Sequence, residues 1–147
     1  MVAAWSSMDT ARSQSIGTDD RRTLVSALSF DALVARVEAA MADNGMGLVA
    51  QASASQGASS RGIRIPGNAV LMVFRNDVAV RMLRASVPAG IEAPLRLYVT
   101  ENADGTARLT YRTPSAIFSP YQNRTLDEMA KQLAPIFERI ARGAVGG

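Results

Sequence analysis

Arg96, Arg108 and Arg112 are the side chains in this sequence best suited to chemistry, and they fall within one short stretch, residues 95–112, LRLYVTENADGTARLTYR. A guanidinium presents a rigid fork of donors that matches the oxygens of a carboxylate or phosphate. Their expected chemistry is therefore recognition of a small anion or an acidic partner. The plainer alternative is a solvated face on which the three side chains splay apart. Four acids, Asp77, Glu92, Glu101 and Asp104, are available for proton transfer, since paired carboxylates can serve as acid and base. None stands in an apolar context that would clearly shift its pKa, and isolated acids in loops and caps are usually structural.

The residues that are missing narrow the chemistry further. The chain has no histidine and no cysteine. That removes the commonest general base, the usual zinc ligands, thiol nucleophiles and disulfides. Gly57 and Gly62 match neither nucleotide-binding fingerprint. No catalytic residue, metal ligand or cofactor is assigned on these grounds. An enzyme working with carboxylates and arginines stands as the alternative to a noncatalytic binding or interaction module.

Arginine supplies fifteen of the sixteen basic residues but is spread along the chain, and the formal net charge is only +3. Nucleic-acid binders concentrate their basic residues in a stripe and add aromatic stacking platforms. With aromatics at 5% of the chain, that role is disfavoured. No apolar run approaches the roughly 20 residues that cross a bilayer. The start, MVAAWSSMDTARSQS, lacks the basic-then-apolar order of a secretory signal. A cytoplasmic protein without membrane contact is expected.

The arginines must be held by the elements around them. Leu95, Leu97 and Val99 alternate with Arg96, Tyr98 and Thr100; Ala107, Leu109 and Tyr111 alternate with Arg108, Thr110 and Arg112. This period-two pattern is that of two half-buried strands. A two-residue turn at Asp104-Gly105 would set Val99 against Thr110 and mix the faces. A three-residue loop, Ala103-Asp104-Gly105, with glycine left-handed, sets Val99 against Leu109, Leu97 against Tyr111 and Glu101 against Ala107. It also sets Arg96 against Arg112.

Residues 1–21, with Trp5 the only large side chain, read as a flexible arm, and residues 22–28 as a first strand. Ser29 opens a helix with Phe30, Leu33, Val34, Val37 and Met41 on one stripe, ended by Asn44-Gly45. Residues 46–52 form a strand, and residues 53–62 a loop of small residues with room for one helical turn. Residues 69–75, AVLMVFR, are apolar on both faces: Val70, Met72 and Phe74 on one, Leu71 and Val73 on the other. A strand of that kind needs cover on both sides. Three helices in so short a chain cover one face more naturally, so a second copy is expected to shield Leu71 and Val73 if loops do not. Asn76 caps the next helix. Phe118 and Tyr121 lie in a loop and fold back on the core. A capping box at Thr125-Leu126-Asp127-Glu128 opens the last helix. Pro135 within it predicts a kink or break near Ala134, and residues 143–147 a frayed tail.

The expected fold is α+β: an antiparallel-type sheet of about five strands in the order β-α-β-β-α-β-β-α, helices mainly on one face, with one domain at residues 22–142. In the order and spacing of these elements the sequence resembles the bacterial family known as domain of unknown function 302, over roughly residues 23–121. The resemblance rests on the helix ending at Gly45, the strand at 46–52, Gly57-Ala58, the apolar strand running into Asn76, Pro94-Leu95 before a strand, and Gly105, Tyr111 and Pro114. It implies a compact, usually dimeric α+β domain with no established biochemical activity. Many relatives carry an Asp-His pair where this chain has Ser53-Ala54, and Asn-Pro where it has Asn76-Asp77. Any metal or proton chemistry served by that pair in relatives is lost here.

Overall fold

Side-chain alternation along the strands decides which groups are buried. The computed structural model describes residues 20–146. Five strands, β1 (Arg21–Ser29), β2 (Gly47–Ala52), β3 (Asn68–Phe74), β4 (Leu95–Glu101) and β5 (Thr106–Arg112), form one antiparallel sheet in the order β1-β5-β4-β3-β2. The helices are α1 (Phe30–Asp43), α2 (Ala54–Ser59), α3 (Asn76–Ala85), α4 (Pro114–Phe118) and α5 (Arg124–Val145), with short 3-10 turns at Pro88–Glu92 and Ser119–Tyr121. The expected α+β architecture is the one observed. Most of the expected N-terminal arm, Trp5 included, and the last residue of the expected tail lie outside the described residues.

The hairpin of β4 and β5 has the expected register, with Val99 paired to Leu109, Leu97 to Tyr111 and Glu101 to Ala107. Gly105 closes its three-residue loop at φ 84°, a left-handed conformation that a side chain would strain. Asp104 fastens the loop by accepting from the Thr106 amide at 3.0 Å.

Leu71 and Val73 are buried in the core of this single chain, at 0% and 1% exposure. The chain's own helices, not a second copy, cover these two side chains. Leu33 and Val37 of α1 and Leu126, Met129, Leu133, Phe137 and Ile140 of α5 join the same core. The strand set left without helical cover is the opposite one, Val70, Met72 and Phe74, each half-buried. Phe118 is buried as expected, although residues 114–118 form α4 rather than a loop.

The last helix differs from its sequence reading at three points. Its cap is Asn123, accepting from the Leu126 amide, two residues before the expected Thr125. Glu128 reaches the Arg124 guanidinium instead of the cap amide. Pro135 does not break the helix, which runs on through Val145. Both Pro135 and Lys131, whose carbonyl the ring crowds, face solvent, so water can satisfy the released acceptor. At the chain end, where the sequence predicts a frayed tail from residue 143, Arg36 donates to the Gly143 carbonyl at 3.1 Å and to that of Gly146, and Ala144 is buried. Likewise α3 starts one residue early, with Arg75 preceding it and making an ion pair with Asp77.

Truncating Leu71 to Ala removes a fully enclosed side chain and is expected to lower stability by about 2–5 kcal/mol. Met72→Ala, one residue on but facing the uncovered side, is expected to cost under about 1 kcal/mol. Urea denaturation of the two variants measures the contrast, and similar losses would contradict this division of faces.

Candidate functional site

The uncovered face of the sheet carries a groove of about 560 Å³. The strand register builds it row by row. Val70 of β3 pairs with Tyr98 of β4, Tyr98 with Thr110 of β5, and Thr110 with Thr23 of β1. In the next row Met72 pairs with Arg96, and Arg112 with Arg21. The paired ladder between β4 and β5 ends at Leu97 and Tyr111. Arg96 and Arg112 therefore flank the point where the hairpin strands part. Leu95, Tyr111 and Ile117, each under a tenth exposed, form apolar lining there.

Of the three arginines expected to act together, Arg96 and Arg112 line this groove and Arg108 does not. Arg108 lies on the same face in a further row, where its Nε donates to the Thr100 hydroxyl at 3.3 Å. The third guanidinium of the groove is Arg21, at the start of β1. The sequence placed it in the arm, because nothing local says that β1 pairs with β5 across some 87 residues. Tyr98, 42% exposed, was legible as a polar-face residue but not as part of a site.

Charge in the groove is one-sided. Among the described residues the side chains of Arg21 and Arg96 have neither a carboxylate nor a hydrogen-bond partner, and that of Arg112 reaches only the Ala116 carbonyl, at 3.4 Å. Glu101 is the single acid in all five strands. It shares the helix-covered face with Leu97 and Val99 and accepts from the Gly67 amide at 2.7 Å. Glu92 is the one carboxylate lining the groove, and the Tyr121 hydroxyl donates to it at 2.8 Å. That bond favours the protonated phenol and holds the Tyr121 pKa above its ordinary value. The neighbouring hydroxyls and amides are also engaged: Thr23 with Thr110 at 3.1 Å, and Asn68 with the Ala54 amide at 3.1 Å. The arrangement can hold an anion by forked hydrogen bonds and a flat apolar body beside it.

The four candidate acids occupy separate structural posts. Asp77 bonds to Arg75 and Asp104 to Thr106, and both carboxyls lie below their ordinary value for that reason. Proton transfer near neutral pH needs a shift the other way. Among the described residues no group of three or more His, Cys, Asp or Glu could hold a metal ion, and no helix is long and apolar enough to cross a membrane.

Two other grooves, of about 720 and 730 Å³, are larger but less one-sided. Asp20 and Glu138 offset Arg22 and Arg142 in the first, and Asp31 and Glu101 outnumber Arg64 in the second. Ala54 lies on the rim of the arginine groove and brings no titratable group.

The family described as "Domain of unknown function DUF302" matches residues 22–142. A crystal structure of an uncharacterised conserved DUF302 protein from Bacillus stearothermophilus superposes with a TM-score of 0.76 at 18% identity, over 84% of this chain and 97% of that one. At that identity the likeness speaks for the fold alone. No curated protein matches the sequence.

Because Asp77 and Asp104 have folded pKa values below their unfolded ones, their contribution is present above an unfolded pKa of about 4 and is lost as pH falls through the folded values. Calorimetry from pH 6 to pH 2 is expected to show the melting temperature dropping below about pH 4. The drop should be shallower in the Asp77→Asn, Asp104→Asn double variant.

Proposed function

The chain belongs to the DUF302 family, and from that premise we propose that it is a noncatalytic binding domain whose working surface is the uncovered sheet face, with Arg21, Arg96 and Arg112 receiving a small anion. One observation carries this reading: three guanidiniums converge on a groove whose only carboxylate is already bonded to Tyr121. Like charges on neighbouring strands destabilise a sheet mildly, and a structural role would ordinarily bring acidic partners among them. Arg108 serves the same face from a further row.

The homodimer inferred for the chain finds its support at the sheet edge. The edge strand β2, GLVAQA, has no charge and no proline, and all six of its residues are exposed. Leu48 and Val49 are 40% and 54% exposed, beside a register shift in its pairing with β3. Edge strands without charge or proline tend to pair with another chain. Face-to-face association of two copies is disfavoured by contrast, since it would oppose their arginines. A cytoplasmic location and a single domain at residues 22–142 complete the proposal.

Titration of labelled protein with inorganic phosphate, followed by NMR, is expected to shift the signals of Arg21, Arg96 and Arg112 together. Arg96→Gln combined with Arg112→Gln should weaken binding by about tenfold or more, each charged hydrogen bond being worth about 1.5–3 kcal/mol, while leaving the melting temperature unchanged or higher. Shifts centred elsewhere, or none, would refute the anion site.

The dimer is tested separately by light scattering after size exclusion at micromolar concentration. A dimer that becomes monomeric in Val49→Lys is expected; a monomer from the outset would refute it.

A further inference from the structure

We infer that the groove takes a flat amphipathic monoanion, a carboxylate carried on an aromatic or branched apolar body, rather than a bare inorganic anion or a polymer. This rests on the anion-site reading above and adds the class of ligand. The polar side chains that flank the arginines are already engaged with one another or with backbone: Thr23 with Thr110, Thr100 with Arg108, Asn68 with the Ala54 amide. They offer a ligand body little hydrogen bonding. What remains unmatched is positive charge at Arg21, Arg96 and Arg112, and apolar surface from Val70, the exposed Tyr98 ring and the lining at Leu95, Tyr111 and Ile117.

Three features narrow the class. Glu92 on the rim opposes a second negative charge, which favours a monoanion. A volume of about 560 Å³ suits a small molecule, within the usual range of about 300–1,000 Å³ for ligand sites. Tyr98 is the one exposed aromatic among the strands, whereas single-stranded nucleic acid needs a succession of stacking rings. A single flat body stacked on Tyr98, with its carboxylate turned to the arginines, uses everything the groove leaves unsatisfied.

Calorimetric titration of the full-length protein with 2-naphthoate, 2-naphthamide, acetate, 2-naphthyl phosphate and inorganic phosphate separates the possibilities. Naphthoate is expected to bind at least about tenfold more tightly than acetate and than the neutral amide, as burial of its ring predicts. Tyr98→Ala, at an exposed residue, should reduce naphthoate to the level of acetate and leave inorganic phosphate unchanged. Arg96→Gln should weaken both. If phosphate binds at the arginines but naphthoate gains nothing over acetate, the ligand class is wrong and the anion site stands. Equal affinity for naphthoate and naphthamide, or tighter binding of naphthyl phosphate, would also overturn the class. Failure of every anion to bind would overturn both.

Discussion

An antiparallel sheet sends alternate side chains to opposite faces, and this chain packs its long helices on only one of them. That asymmetry governs the rest of the molecule. On the covered face Leu71, Val73, Leu97, Val99 and Leu109 meet Leu33 and Val37 of α1 and the apolar stripe of α5, and nearly all of them are fully enclosed. On the other face these strands present Val70, Met72, Tyr98 and three arginines, and β1 adds a fourth, Arg21. A residue's fate follows from its parity, and one step of register would exchange the two sets.

The electrostatics of the open face follow from this division. Glu101, the one acid in the strands, belongs to the covered side, where the Gly67 amide occupies it. Arginines on β1, β4 and β5 are left facing water with no acidic strand residue on their face. Solvent screens such charges well, so the fold tolerates them, but they add nothing to its stability. The covered face accounts for why the chain folds, and the open face is where the proposed ligand is placed.

Much of the architecture is readable from short-range patterns. The hairpin register follows from the mismatch a two-residue turn would create. Helix α1 follows from Ser29, its apolar stripe and Asn44-Gly45. Where the reading fails, the deciding contact is distant in sequence. Which face of β3 the helices cover depends on where α1 and α5 dock, so Leu71 and Val73 could not be told from Val70 and Met72. Arg21 joins Arg112 only because β1 pairs with β5. Pro135 is tolerated because it lands on the solvent side of α5, and the chain end is held because Arg36 of α1 reaches its carbonyls. Of the groove's arginines the sequence shows only Arg96 and Arg112, and it groups Arg108 with them because strand parity cannot rank residues along one face.

The central claim is that the uncovered sheet face is the surface on which this protein works. A crystal grown with 4-iodobenzoate tests it directly, because anomalous scattering from iodine locates the ligand without reference to any variant. The account predicts the carboxylate between Arg96 and Arg112 with the ring against Tyr98. An iodine peak confined to another groove, or a second copy's sheet packed across that face with the arginines engaged by its side chains, would contradict it.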